Sequence, residues 1–181
     1  MNRIKRYWYF AVLGFLVVVL GVSKILFKTT APIIIPENSW QGITPGTTTT
    51  EDLKKQLGEP LKTTQINGKN VYLYPSDTEN WENEVTVTDE QKVETIKRYF
   101  PSKEENYTSF INQYGPYDYE FFGPSYQAGF SVFVFLNKGV VVVANKESDL
   151  VLEVWYFQPT TLEEFLSLLG KDLSQTPPKL F

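Results

Sequence analysis

The chain has 181 residues, 17 of them basic and 21 acidic, with no histidine and no cysteine. Without histidine, the usual general base near neutral pH and the commonest transition-metal ligand are missing; without cysteine, disulfides, thiol catalysis and a thioether-linked lipid anchor are excluded. With Arg3, Lys5, Arg6, Lys24 and Lys28 set aside, 12 basic residues face 21 acidic ones, a net charge of −9 that repels nucleic acid and anionic headgroups.

The first element is a membrane segment. A basic stub, 1–6, precedes an apolar run from Tyr7 to Val22 that continues past Lys24 to Phe27. About 20 such residues at ~1.5 Å each cross a hydrocarbon core of ~30 Å. The cationic flank stays in the cytoplasm, and Tyr7, Trp8 and Tyr9 sit where an interfacial aromatic belt holds the inner end. The expectation is a single-pass signal-anchor helix over 7–27 in the cell membrane, with everything after it extracytoplasmic. A cleaved signal peptide is the alternative, but only Thr29-Thr30-Ala31 approaches a small-residue cleavage site. Ala31-Pro32 and Ile35-Pro36 make 28–39 an extended linker.

Residues 40–173 read as one α+β domain. About 140 residues suffice for a single core, and the 15% aromatic content suits sheet. The threonines Thr47 to Thr50 ahead of Glu51-Asp52 predict a capped helix with Leu53 and Leu57 on one face, stopped by Gly58 and Pro60. Strands are expected over Asn70 to Tyr74, Glu84 to Thr88 and Lys92 to Tyr99. Ser102 with Glu105 predicts a second helix start; Tyr107, Phe110, Ile111 and Tyr114 recur at helical spacing until Gly115-Pro116. Strands follow over Phe130 to Leu136, Val140 to Ala144 and Leu150 to Phe157. Thr161 with Glu164 opens a third helix, 161–169, before Gly170 and a short tail at 174–181.

Gly58 and Gly115 are 57 residues apart, as are Tyr99-Phe100 and Tyr156-Phe157. A tandem helix-plus-meander repeat explains both intervals, with units 40–100 and 101–157, the third helix closing an end, and Leu57 and Tyr114 buried at equivalent places.

The string Pro45-Gly46, the threonines, Glu51-Asp52-Leu53 and then Leu57-Gly58-Glu59-Pro60 resembles the opening of the outer-membrane assembly lipoproteins of the SmpA/BamE type, which are related in fold to the tandem β-lactamase inhibitor proteins. The resemblance implies a layered α+β fold used for protein binding. The lipidated cysteine is absent here, a membrane segment is added, and an extra threonine stands between Gly46 and Glu51.

No catalytic residue, metal site or cofactor signature emerges. Ser102 with Lys103, and Ser167 with Lys171, are nominal serine–lysine pairs in helix-capping or helix-surface contexts. Glu82 with Glu84 and Asp118 with Glu120 alternate as carboxylate pairs of the kind a cell-wall hydrolase needs, yet also as solvated strand faces. Asp77 to Glu84 is acidic without the ligand spacing of a calcium loop, and Asn106-Tyr107-Thr108 matches an N-glycosylation acceptor inside a helix. The stretch Tyr114 to Tyr126 brackets aromatics with Gly-Pro steps and suggests a binding loop carried by Tyr117, Tyr119, Phe122 and Tyr126, or else a strand with one face on the core. Arg98, the only arginine beyond the anchor, is placed to pair with an acid or to mark an interface. The expected function is a non-catalytic, membrane-anchored module that binds another envelope protein; a carboxylate-dependent cell-wall hydrolase and a passive structural domain are the alternatives.

Overall fold

A computed structural model describes residues 36–77, 80–99, 105–123 and 129–177. The basic stub, the apolar run 7–27 and most of the linker lie outside them, as do Ser102, Lys103 and Tyr126. Among the described residues no helix is long and apolar enough to cross a membrane.

The chain runs α1 (Thr50–Leu57), β1 (Lys62–Ile66), β2 (Lys69–Pro75), β3 (Glu82–Val87), β4 (Val93–Tyr99), α2 (Tyr107–Tyr114), β5 (Tyr119–Phe121), β6 (Ser131–Phe135), β7 (Val140–Asn145), β8 (Leu150–Phe157) and α3 (Leu162–Leu168). The strands form one eight-stranded sheet ordered β1-β2-β3-β4-β8-β7-β6-β5, with every pairing antiparallel. Helix, four-stranded meander, helix, four-stranded meander, helix is thus the element order, and the last strands of the two meanders pair at the centre. One strand escapes the sequence reading, and another settles an alternative it left open. β1 is a polar edge strand of sequence KTTQI, and β5 is three residues of the aromatic stretch.

Local chemistry sets the helix ends. The Thr49 hydroxyl accepts from the Asp52 amide at the start of α1, with Glu51 and Asp52 complementing the dipole. The second helix begins later than the Ser102–Glu105 pattern predicts: Asn106 is its cap, accepting from the Ser109 amide at 2.8 Å. Asn106 and Thr108, which also match a glycosylation acceptor, are fold-forming here; the Thr108 hydroxyl donates to Asp149 at 2.9 Å. Thr161 and Glu164 make the expected capping box on α3. Gly58 and Gly115 end α1 and α2, both at φ 84°, where a side chain would be strained.

These details recur at the same 57-residue interval. Helices α1 and α2, their caps Thr49 and Asn106, and their terminal glycines all correspond. Each cap bridges to the start of its own unit's last strand, at Lys92 and Leu150. The pairing of the third strand with the fourth shifts register in each meander, at Thr86/Val87 and at Val143/Ala144, with Glu94 of β4 and Leu152 of β8 as the extra, bulged residues. Of the pair expected to be buried, Tyr114 is, but Leu57 is only half-buried at the margin of the core.

The sheet has a front and a back. The front core joins Leu53 of α1, Phe110 and Tyr114 of α2, and the inward residues of both meanders, including Val85, Ile96, Phe133, Val142 and Val154. On the back, α3 lays Phe165 against Phe157 and Phe121, at ring distances of 5.5 and 6.3 Å, over Val132, Val134, Val141 and Val143. All of those valines belong to the second meander. The third helix therefore covers half of the back face.

Candidate functional site

The back of the first meander, together with the β8 strand beside it, carries a network of aromatic and charged side chains. Cross-strand register creates it: Leu73, Glu84, Lys97 and Trp155 stand opposite one another across β2, β3, β4 and β8, and Tyr99 stands opposite Glu153. Lys97 Nζ lies 3.3 Å from Glu153 Oε2, 5.2 Å from the Tyr99 ring centroid and 5.4 Å from that of Trp155. The indole N–H of Trp155 donates to Glu153 at 2.8 Å, and the Tyr99 hydroxyl to Glu84 at 3.2 Å. Trp81 tilts over Tyr99 with ring centroids 4.9 Å apart and is 51% exposed.

The electrostatics favour a charged Lys97 and a neutral Tyr99 at neutral pH. Burial pushes the Lys97 ammonium toward losing its proton, but Glu153, Tyr99 and Glu84 outweigh it, and its pKa rises. Burial raises the Tyr99 hydroxyl to about 12 against the opposing pull of Lys97. A lysine held charged and a tyrosine held neutral are hydrogen-bonding and stacking groups, not bases or nucleophiles.

Beside this network, a groove of about 1030 Å³ separates α3 from the β3–β4 hairpin. Phe157, Phe165 and Leu169 line it on the apolar side, Leu168 is 53% exposed at its lip, and Glu90 and Glu163 are among its acidic members.

The residues singled out from the sequence are dispersed. Tyr117 packs on Phe133 at the front, at 5.1 Å between rings, beneath the Lys146 ammonium. Tyr119 belongs to the back, stacked on Phe121 and packed against the α3 core. Phe122 is half-buried and exchanges backbone hydrogen bonds with Ser174 at 2.7 and 2.9 Å. Tyr126 lies outside the described residues. Arg98 is half-buried on the front, its guanidinium 5.5 Å from the Trp40 ring centroid and hydrogen-bonded to Tyr156.

Three of the four carboxylates in those pairs are also engaged. Asp118 accepts from the Leu136 amide at 2.7 Å, and Glu120 accepts from Lys146 at 2.8 Å and from Tyr117 at 3.2 Å. Burial would raise the Glu120 carboxyl, but its bonds to Lys146, Ser131 and Tyr117 hold it below the usual range, the wrong direction for a general acid. Glu84 is engaged by Tyr99, and Glu82 is exposed at the start of β3. Ser167 and Lys171 are both exposed, and Ser102 and Lys103 lie outside the described residues. Sequence reasoning missed Lys97, Trp155, Glu153 and Trp81. The one available signal was the alternation of Thr95, Lys97 and Tyr99 against the buried Ile96.

No protein-family model matches the chain, and no curated protein does. Among solved structures it is similar to a DUF4309 family protein, YjgB, from Bacillus subtilis, at 14% identity and a TM-score of 0.48, over 68% of this chain and 86% of that one.

Proposed function

We propose that this chain is a membrane-anchored, extracytoplasmic protein-binding module without catalytic activity, and that its partner sits on the uncovered half of the back face. The observation that carries the reading is the half-cover itself: α3 seals the back of the second meander, while the same face of the first meander displays Trp81, Tyr99 and Lys97. Aromatics held by hydrogen-bonded acids present large contact area with little rotamer freedom left to lose. The apolar run 7–27 with its basic stub supports the anchor, and the resemblance of the first helix region to envelope-assembly lipoproteins points toward protein binding.

The test is site-specific photo-cross-linking in the native host, with a photoreactive phenylalanine analogue placed at Trp81 or at Lys55, an exposed position on α1. A discrete adduct with one envelope protein from Trp81 and none from Lys55 is the expected result. Absence of adducts at Trp81, or equal adducts at both positions, contradicts the binding reading. Release of muropeptides from peptidoglycan, lost in the Glu82→Gln or Glu120→Gln variant, replaces it with hydrolysis.

A further inference from the structure

We infer that the groove between α3 and the β3–β4 hairpin docks a polypeptide segment in which basic residues flank an apolar one. The inference rests on the back face being a binding surface and names the chemistry of what enters it. Its size, about 1030 Å³, lies at the upper limit of small-ligand pockets and suits a stretch of chain. Its lining divides by chemistry. The apolar side is formed by Phe157, Phe165 and Leu169, with Leu168 half out in solvent and unused by the fold. The rim brings four carboxylates, Glu90, Glu94, Glu163 and Glu164, against one ammonium, Lys92.

Only Glu94 of these acids is paired with a cation among the described residues, with Lys69 at 2.6 Å. Glu164 is anchored through Thr160 and Thr161, and those bonds keep it ionised. The Glu90 carboxylate is likewise held charged, by its own backbone amide, by Thr88 and, to a smaller degree, by the neighbouring Lys92, which leaves Glu163 and Glu164 as the acids with no cation beside them among the described residues. Surplus negative charge beside an exposed leucine repels phosphate and carboxylate ligands and attracts a cationic chain that carries an apolar side chain. The surplus charge is what favours a peptide over a neutral glycan.

The probe is a fluorescein-labelled peptide with one leucine between pairs of lysines, titrated by anisotropy against the full chain in nanodiscs of zwitterionic lipid, with empty nanodiscs as the blank. Glu163→Lys and Leu168→Asp should each weaken binding about ten-fold or more, which is ~1.4 kcal/mol. Glu51→Lys, the same charge change on α1, should leave it within about two-fold, as expected for an exposed charge whose field is screened at a distance. Leu168→Asp is the decisive variant because it adds negative charge: diffuse attraction to an acidic protein would strengthen the binding, and docking at the groove predicts the reverse. Both substituted side chains are exposed, and unchanged thermal unfolding verifies the fold. Binding that survives Leu168→Asp, or that falls equally with Glu51→Lys, overturns the inference. So does a labelled chito-oligosaccharide that binds where the peptide does not. If cross-linking through Trp81 persists in any of those cases, the docking chemistry fails and the binding module stands.

Discussion

The two meanders share a plan and differ on one face. Glu84-Val85-Thr86-Val87 in β3 stands 57 residues before Val141-Val142-Val143-Ala144 in β7. The front positions, Val85 and Val87 against Val142 and Ala144, are buried in both. The back positions diverge: Glu84 and Thr86 are half-buried, whereas Val141 and Val143 are fully buried beneath α3. A strand covered on both faces needs continuous apolar sequence, and one covered on a single face alternates. The difference teaches that α3 is the asymmetric addition, and that the first meander keeps its back available.

The sharpest way to break this comparison is to remove the cover. Phe165→Ala takes away a fully buried ring and should cost about 3–5 kcal/mol of unfolding free energy in urea, whereas Thr86→Ala on the open half should change it by no more than ~0.5 kcal/mol. Equal costs would mean that the two halves are not differently covered.

Smaller effects sharpen the resemblance between the units. Thr49→Ala and Asn106→Ala remove equivalent caps and should each cost about 1 kcal/mol, read as matched shifts of the urea midpoint. A large effect at one cap and none at the other would separate the units.

A further effect is with pH and is confined to its extremes. The Tyr74 and Tyr99 hydroxyls are raised from 10.0 to about 12, chiefly by burial. Below pH 10 both states keep these protons, so stability is unaffected. As pH rises from 10 toward 12 the unfolded chain loses them first and stability falls. Glu120 is lowered, so its contribution is present above the unfolded carboxylate range and is lost on acidification. Thermal scans across pH should show a plateau at neutral pH with a decline at each end. A melting temperature still rising above pH 10 would contradict the buried-tyrosine account.

Periodicity and punctuation made six of the eight strands and all three helices legible, because each combines an alternating or continuous apolar pattern with a cap or a turn. The edge strand β1 escaped because KTTQI has no apolar face; it is held by pairing with β2. β5 was visible only as an alternative to a binding loop, and the structure sends Tyr117 to the front and Tyr119 to the back. Least legible was the back-face network. Lys97 meets Glu153 and Trp155 only because β4 pairs with β8, a contact between strands of different units that no local pattern encodes.

The central claim, that the uncovered half of the back face is where the partner sits, is open to one direct measurement. The chain has no cysteine, so single-cysteine labelling has no background. Maleimide labelling rates should be compared for Thr86→Cys, Val143→Cys and the α1 control Lys55→Cys, in the purified chain and in native membranes. Thr86→Cys should label fast when purified and slowly in native membranes, with Lys55→Cys fast and Val143→Cys slow in both. A Thr86→Cys rate that is equal in the two settings would contradict the claim.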